Sequence, residues 1–349
     1  MLTSSIIFHS KAPLRIGLAG GGTDLSPYCD LYGGAVINAA ISLSAYASLE
    51  PIPENKIIFE ATDRDEKEEY GLADELPLTG SLDLLKGVYN RIRRDHQFPV
   101  QGFKLSCAAD APAGSGLGTS STLTVAVLGV FREMLELKLS GYEVARYAYD
   151  IERNDLKLPG GRQDQYAAVF GGMNFMEFNE KEDVKVHPLQ LQPAVMEELE
   201  SKLLLYFTSV PRNSEAIINE QVRNVYARDE TSLQAMHQLK EQAMMMRDAL
   251  LNGEPDDIGS LLDYGFSQKK KMAHDISNER IEGIYDAAKK AGATGGKISG
   301  AGGGGFMIFY CPGNTRETVG SALNSFGGKI VPYSFTEKGL ETWREVPRS

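Results

Sequence analysis

The spacing of hydrophobic residues changes several times along the chain, and each spacing predicts a different element. Residues Ile41–Glu50 alternate between apolar and polar with a period of two, which predicts a half-buried antiparallel strand. Leu82–Arg94 instead has apolar residues at helical spacing. The same patterns predict further strands over Lys56–Ala61, Phe103–Ala108, Gly172–Phe178, Leu203–Thr208, Phe306–Tyr310 and Lys329–Tyr333, and further helices over Ser120–Leu137, Tyr142–Leu156, Ile281–Ala291 and Glu317–Phe326.

The order of these elements predicts an α+β fold, because strands dominate the early part and helices the later part. Residues 214–274 are mostly helical in pattern, with Ser214 as a candidate N-cap and an interruption at Gly253-Glu254-Pro255. The polar stretch Asn179–Gln192 is the best candidate for a domain boundary. We therefore expect an N-terminal domain over residues 1–190 and a C-terminal domain over residues 191–349.

Composition then restricts the classes of function. The chain has 349 residues, 42% hydrophobic and 24% charged, and a formal net charge of -11. An acidic protein is a poor general binder of nucleic acid or anionic membranes, although a local basic pocket could still hold a small anion. The first residues lack the apolar core of a signal peptide, and no apolar run is long enough to cross a bilayer. We expect a cytoplasmic protein without nucleic-acid or membrane partners.

The three cysteines do not indicate a disulfide framework or a zinc site. Cys29, Cys107 and Cys311 are far apart in the sequence, and no C-x-x-C motif occurs. This pattern predicts buried thiols in a reducing compartment.

Glycine-rich segments carry the candidate chemistry, and the first of them is Lys11–Asp24. A strand with Arg15 runs into three glycines, which allow a tight turn that presents Thr23 and Asp24. A carboxylate at such a turn can accept hydrogen bonds from sugar hydroxyls. The alternative is a plain loop in which Asp24 caps a helix.

The second segment leads directly into an apolar helix. Backbone amides at a helix N-terminus and the positive end of the helix dipole form an anion site, which suits the phosphates of ATP. A simple N-cap would need one hydroxyl residue, whereas three follow three glycines here. The predicted phosphate-binding residues are Pro112, Ala113, Gly114, Ser115, Gly116, Leu117, Gly118, Thr119, Ser120 and Ser121.

The third segment, Lys297–Phe306, contains five glycines between Gly300 and Gly305. So many glycines indicate a backbone that passes close to a ligand or to another loop, rather than a simple connection between strands. The segment fails the Walker A pattern. It does match G-x-G-x-x-G, but a strand pattern follows where a dinucleotide-binding motif would open a helix.

Two carboxylates between the second and third segments are candidates for phosphoryl-transfer chemistry. Glu152 lies on a predicted helix, and Asp164 follows the Gly160-Gly161 turn. Phosphoryl transfer needs a metal to neutralise phosphate charge and often a carboxylate to accept the hydroxyl proton. Glu152 could hold the metal and Asp164 could be the base, although each could also be an ordinary surface carboxylate.

Together, the three glycine segments resemble the motifs of the GHMP kinase superfamily, in the same order. The resemblance implies a two-lobed fold, with an N-terminal lobe like domain 2 of ribosomal protein S5 and a ferredoxin-like C-terminal lobe. It also implies ATP as phosphoryl donor and Mg²⁺ held by Ser120 and Glu152. Asp164 and Arg15 match the catalytic aspartate and the catalytic basic residue of the superfamily.

Within the superfamily, three segments look like bacterial D-glycero-D-manno-heptose 7-phosphate kinases: Ala12–Tyr28, Leu82–Ile92 and Gly160–Phe178. Those enzymes phosphorylate the anomeric hydroxyl to give the 1,7-bisphosphate, which is used for GDP-heptose and surface-polysaccharide synthesis. Fucokinase is the alternative, although its first motif is closer to A-G-G-W-S-D than to A-G-G-G-T-D. The resemblance implies sugar contacts from Gly22, Thr23, Asp24, Gly161, Arg162, Asp164, Gly302 and Gly303.

The substrate's own phosphate should need a cation. Arg162 is a candidate by position and Lys11 and Arg212 are weaker ones, although each could equally be a solvated surface charge. Two rival functions are a nucleotide or sugar sensor without turnover and an NAD-dependent oxidoreductase using Gly300–Gly305. The oligomeric state is open, with a homodimer among the states considered.

Overall fold

The computed structural model describes residues 6–180, 183–209, 214–252 and 256–346. Its strands are β1 (Ile7–Ala19), β2 (Gly34–Pro51), β3 (Lys56–Ala61), β4 (Glu66–Gly71), β5 (Phe103–Ala109), β6 (Met173–Phe178), β7 (Val184–Pro188), β8 (Leu203–Phe207), β9 (Gly295–Ile298), β10 (Phe306–Tyr310), β11 (Lys329–Ile330) and β12 (Glu341–Glu345). Its α-helices are α1 (Tyr28–Tyr32), α2 (Asp83–His96), α3 (Thr119–Met134), α4 (Gly141–Asp150), α5 (Gln163–Phe170), α6 (Pro193–Lys202), α7 (Ser214–Tyr226), α8 (Glu230–Asn252), α9 (Asp256–Lys269), α10 (Glu279–Lys290) and α11 (Arg316–Leu323).

The first sheet is built around the long strand β2. Its strands run in the order β12-β1-β2-β5-β3-β4, and β6 and β7 extend from β2. The first part of β2 pairs with β6 and its later part pairs with β5, so one strand joins two sections of the sheet. Apolar and polar residues alternate along Ile41–Leu49, and most of the apolar side chains in this segment are buried, as the period of two predicts.

Helix α3 covers β1 and β2, and this packing positions the candidate site. Almost every residue of its central turns is buried, from Val125 to Phe131. These side chains form a core with apolar residues of α2, α4, β3 and β5. The N-terminus of α3 is therefore fixed against the sheet beside β1.

The second sheet has the topology expected for a ferredoxin-like lobe. Its four strands run in the order β11-β8-β10-β9, and each pair is antiparallel. Numbered along this part of the chain, the order is 4-1-3-2 in a β-α-β-β-α-β arrangement. The predicted α+β, two-lobed fold is confirmed.

The end of the chain returns to the first sheet. Strand β12 pairs with β1, with Ile7 opposite Glu345 and Lys11 opposite Glu341. The preceding segment also bonds to the first sheet, because Thr336 N donates to Ala40 O at 3.1 Å. The division at residue 190 stays a prediction, and these contacts associate residues 336–345 with the N-terminal part.

Several local predictions were wrong. The segment Tyr142–Leu156 is not one regular helix, because α4 ends at Asp150 and a π-helical turn follows over Ile151–Asp155. The stretch Asn179–Gln192 contains β7, and its role as the domain boundary stays a prediction. The strand predicted over Lys329–Tyr333 is limited to β11. The interruption predicted at Gly253-Glu254-Pro255 lies outside the described residues.

The three cysteines are buried, as the sequence predicts. All three are free, and burial raises the pKa of the Cys29 and Cys107 thiols to about 12. Among the described residues, no helix combines the length and apolarity that a membrane crossing requires.

Candidate active site

A buried arginine on β1 joins two of the predicted motifs. Arg15 donates from Nε to Asp164 Oδ1 at 2.8 Å and from Nη1 to the carbonyl oxygen of Gly116 at 2.5 Å. Its backbone N also donates to Leu117 O at 3.0 Å. The strand and the second glycine segment are therefore held together through Arg15.

The second glycine segment forms a loop that ends at the N-terminus of α3. Gly118 has a left-handed conformation with φ of 77° and immediately precedes the helix. The first amides of any helix lack intrahelical acceptors, and they point toward the space beyond its N-terminus. Together with the helix dipole, they make this end suitable for a phosphate group.

The third glycine segment braces this loop. Phe306 N donates to Ser115 O at 2.8 Å, and Ser299 Oγ donates to Gly116 O at 2.8 Å. Gly305 has φ of +80°, and a Cβ placed on it would lie 2.1 Å from Ser115 O. The glycines thus permit the close approach of another loop, which is one of the two reasons the sequence suggests for them.

Asp164 lies at the start of α5, beside the start of α3. Its Oδ1 also contacts Arg15 Nη2 at 2.5 Å, so the arginine makes two contacts with one carboxylate oxygen. A Cβ on Gly118 would lie 3.2 Å from Asp164 Cγ, so the carboxylate is next to the helix terminus. The carboxylate is partly accessible from the cavity, whereas Arg15 is buried.

Glu152 is buried, with 1% of its surface exposed, and accepts hydrogen bonds from three side chains. Ser121 Oγ donates to Oε2 at 2.8 Å, Thr124 Oγ1 donates to Oε1 at 3.1 Å, and Gln165 Nε2 also donates to Oε2. Glu152 lies on the π-helical turn, an irregularity that is frequent at functional sites. This network fixes a carboxylate beside the first turn of α3.

The first glycine segment meets the turn before α5 through Asp24. Gln163 donates to the Asp24 carboxylate from its backbone N at 3.2 Å and from Nε2 at 3.0 Å. A Cβ on Gly161 would lie only 1.9 Å from Asp24 Oδ2, so a glycine is required there. Arg153 holds the same turn by donating to the carbonyl oxygens of Gly160 and Gly161.

These residues line one cavity of about 450 Å³. Predicted site residues in its lining are Arg15, Gly22, Asp24, Ala113, Gly114, Gly116, Gly118, Thr119, Ser120, Ser121, Glu152, Gly161 and Asp164. Polar and charged cavity-lining residues that the sequence did not predict as site residues are Arg153, Gln163, Ser214, Glu215, Gln221, Lys269 and Lys297. Lys297 opens the third motif, but nothing in the sequence around Gln221 or Lys269 indicates a site.

Four predicted sugar contacts do not line the cavity. Thr23 donates from Oγ1 to Gly20 O and Ala35 O and is buried inside its own turn. Arg162 points to the other side, where it donates to Asp30 Oδ1 at 2.8 Å and to Ser26 Oγ at 3.1 Å. Gly302 and Gly303 pack against the backbone of Ile276, and Gly303 N donates to Ile276 O.

Three predicted phosphate-loop residues also lie outside the lining. Pro112 O and Leu117 O accept backbone hydrogen bonds within the loop and from Arg15, and Ser115 Oγ lies 3.2 Å from Thr119 Oγ1. Of the other candidates for the substrate phosphate, Lys11 lies over the Tyr46 ring, away from the cavity. Arg212 lies outside the described residues.

Comparison with known proteins agrees with this geometry. Residues 83–172 match the GHMP kinases N-terminal domain, and residues 246–329 match the GHMP kinases C-terminal domain. The D-glycero-alpha-D-manno-heptose 7-phosphate kinase of Campylobacter jejuni is 43% identical over 96% of this chain and 98% of its own length. This chain belongs to the GHMP kinases.

Two other relatives delimit its position within the GHMP kinases. The crystal structure of a D-glycero-D-manno-heptose 1-phosphate kinase from Bacteroides thetaiotaomicron has a TM-score of 0.83 and 42% identity, covering 96% of this chain and 98% of that one. The L-fucokinase/L-fucose-1-P guanylyltransferase of Bacteroides fragilis is only 28% identical, and the matched region is 98% of this chain but 39% of that protein. The fucokinase relative is therefore more distant.

Proposed function

We propose that this GHMP kinase transfers the γ-phosphoryl group of ATP to the anomeric hydroxyl of D-glycero-D-manno-heptose 7-phosphate. The product would be the 1,7-bisphosphate, a precursor suited to GDP-heptose and surface-polysaccharide synthesis. The observation that carries this proposal is the Arg15–Asp164 pair beside the N-terminus of α3. A carboxylate next to a phosphate-binding helix start is suitably located to accept a proton from an attacking hydroxyl.

Each residue of the pair has a distinct proposed role. Asp164 takes the proton of the anomeric hydroxyl as the hydroxyl oxygen attacks the γ-phosphorus. Arg15 orients Asp164 through its two contacts to Oδ1 and adds positive charge near the transferring group. An anomeric hydroxyl is more acidic than an ordinary alcohol, so the demand on the base is moderate.

ATP phosphates are proposed to lie on the loop Gly114–Ser121, with Mg²⁺ held by Ser120 and Glu152. Among the described residues, no group of three or more histidine, cysteine or acidic side chains could hold a metal by itself. Ser120 and Glu152 would supply one hydroxyl and one carboxylate. This set fits Mg²⁺, which commonly takes one or two carboxylates together with substrate phosphates and water. The metal would neutralise phosphate charge during transfer.

The identity of the sugar is supported by the names of the similar proteins. The Campylobacter and Bacteroides thetaiotaomicron proteins are both named as kinases of a phosphorylated D-glycero-D-manno-heptose. The first name places the phosphate of the acceptor at position 7, and the second places it at position 1. This difference supports a second candidate, in which heptose 1-phosphate is the acceptor and the phosphoryl group goes to the other end of the sugar.

A coupled ADP-release assay over a substrate panel tests the proposal. The panel contains heptose 7-phosphate, heptose 1-phosphate, unphosphorylated heptose, fucose, galactose, mannose and mevalonate. We expect fastest ADP release with heptose 7-phosphate and a new anomeric phosphate in the product by phosphorus NMR. Preference for fucose or heptose 1-phosphate would overturn the substrate assignment, and ATP binding without ADP release would indicate a sensor.

A further inference from the structure

Three buried polar side chains line the cavity beyond Arg15. Lys269, the last residue of α9, donates from Nζ to Gly21 O at 3.1 Å. Lys297 on β9 donates from Nζ to Gly17 O at 2.7 Å. Gln221 on α7 is the third, and the exposed fractions are 2% for Lys269, 4% for Lys297 and 1% for Gln221. Three separate elements thus direct hydrogen-bond donors to one end of the cavity.

The charge at this end is positive and concentrated. The charges that act on Lys297 are those of Lys269 and Arg15, and burial and both cations lower the pKa of Lys297 well below its ordinary value. Keeping like charges together away from water is unfavourable, and an anion placed between them would relieve the repulsion. Two acidic residues other than Asp164 and Glu152 line the cavity: Asp24 already accepts hydrogen bonds from Gly22 and Gln163, and Glu215, on the same helix as Gln221, is exposed.

Gln221 gives an independent indication that a ligand belongs here. Its Nε2 is buried and has no hydrogen-bond partner among the residues that the structure describes. Its Oε1 lies near Gly22, since a Cβ on that glycine would be 3.6 Å away. Buried amide groups are nearly always hydrogen-bonded, so a donor without a partner in a cavity lining indicates a missing acceptor.

Resting on the proposed function, we infer that Lys269, Lys297 and Gln221 form the subsite for the phosphate group that the sugar already carries. Three donors, two of them cationic, match the oxygens of a phosphate dianion. The phosphate loop contacts Arg15, whereas the lysines bond to Gly17 and Gly21, which follow further along the chain. On this assignment, the resident phosphate lies beside the two lysines, and the transferred phosphate lies beside the loop and Asp164.

Direct binding without ATP tests the assignment on the full-length protein. Isothermal titration calorimetry would compare heptose 7-phosphate with unphosphorylated heptose for wild type, Lys269→Met, Gln221→Met and a control, Lys271→Met. Lys271 is a neighbouring but exposed lysine. Loss of one charge-assisted hydrogen bond should weaken phosphosugar binding about 10- to 100-fold in Lys269→Met. Binding of the unphosphorylated heptose and of ATP should not change, and Lys271→Met should behave like wild type.

The second variant keeps the inference testable if Lys269→Met folds poorly. Gln221→Met removes a buried amide without a partner, so it should retain stability while weakening phosphosugar binding several-fold. Equal weakening of both sugars, weakened ATP binding, or no wild-type preference for the phosphosugar would each overturn the subsite. Lysine-dependent phosphosugar binding without any ADP release would support the subsite while the proposed kinase reaction fails.

Discussion

The two ends of the cavity differ in how their polar groups are satisfied. Around Asp164 and Glu152, each carboxylate is paired with side-chain donors, and the loop ahead of α3 is braced by the third glycine segment. Around Lys269 and Lys297, cations lie close to one another and a buried amide lacks a partner within the described residues.

This difference indicates two roles. The end near α3 is preorganised, because its polar groups are held in place before the substrate arrives. Such fixed groups suit a site where charge develops during phosphoryl transfer. The lysine end is electrostatically incomplete and gains most from an incoming anion. Binding energy would therefore come mainly from one end and rate acceleration mainly from the other.

The largest expected effect separates these roles at Asp164. Asp164→Asn should lower kcat by about 10²- to 10⁴-fold, because the proton acceptor is lost, while ATP and phosphosugar affinities change little. Steady-state kinetics and calorimetry measure both quantities. The control is Asp286→Asn, an exposed carboxylate on α10. Near-wild-type kcat in Asp164→Asn would remove the base from the mechanism.

A smaller effect is expected at Glu152. Glu152→Gln keeps the shape of the side chain but loses the charge, so the Mg²⁺ concentration for half-maximal activity should rise about 10- to 100-fold. Titration of activity with Mg²⁺ at saturating ATP measures it, with exposed Glu279→Gln as the control. An unchanged Mg²⁺ requirement would mean that Glu152 acts only in the hydrogen-bond network of Ser121 and Thr124.

The bracing of the phosphate loop can be tested with two glycines. Gly305 and Gly313 both have positive φ, but a Cβ on Gly313 would meet nothing within 4 Å. Alanine at either position should cost about 1 to 2 kcal/mol from its left-handed backbone. Only Gly305→Ala should lose a further ~1 to 3 kcal/mol through its clash with Ser115, together with a higher KM for ATP. Equal losses in urea unfolding would show that the loop contact is unimportant.

The smallest effect should be a pH dependence at the lysine end. Burial, Lys269 and Arg15 lower the pKa of Lys297 well below its ordinary value, so its charge is present at low pH and is lost as pH rises through that lowered pKa. Phosphosugar affinity should therefore fall by up to about 10-fold as pH rises through this lowered pKa. Calorimetry across this range measures the decline, which Lys297→Met should lack. A decline that persists in Lys297→Met would assign it to another group.

Much of the fold could be predicted because hydrophobic periodicity reports local structure. Strands β3, β5, β6, β8 and β10 and helices α2 and α3 agree with the predicted elements within a few residues. Helix α5 was missed because Gly160 and Gly161 suggest a turn, and they do form one just before Gln163. Gly161 is needed there for the approach of Asp24, a contact between segments distant in sequence.

The candidate site was predictable only where a motif marks it. The segment Pro112–Ser121 has a local signature, and the structure does bring it beside Asp164 and Glu152. Arg162 adjoins a motif, but its side chain points to Asp30. The direction of a side chain depends on which face of the turn other residues cover, and the sequence alone does not give that face. Lys269 is one lysine at the end of an ordinary helix, and only its tertiary position beside Gly21 reveals it.

The pairing of β12 with β1 has a consequence for protein engineering. Ile7 and Glu345 are register partners on adjacent strands, so a short peptide could connect the two regions without crossing the cavity. New termini could then be opened in an exposed loop elsewhere, giving a circular permutant with the same cleft. Such permutants would allow a reporter to be attached far from the edge of the sheet that β12 forms.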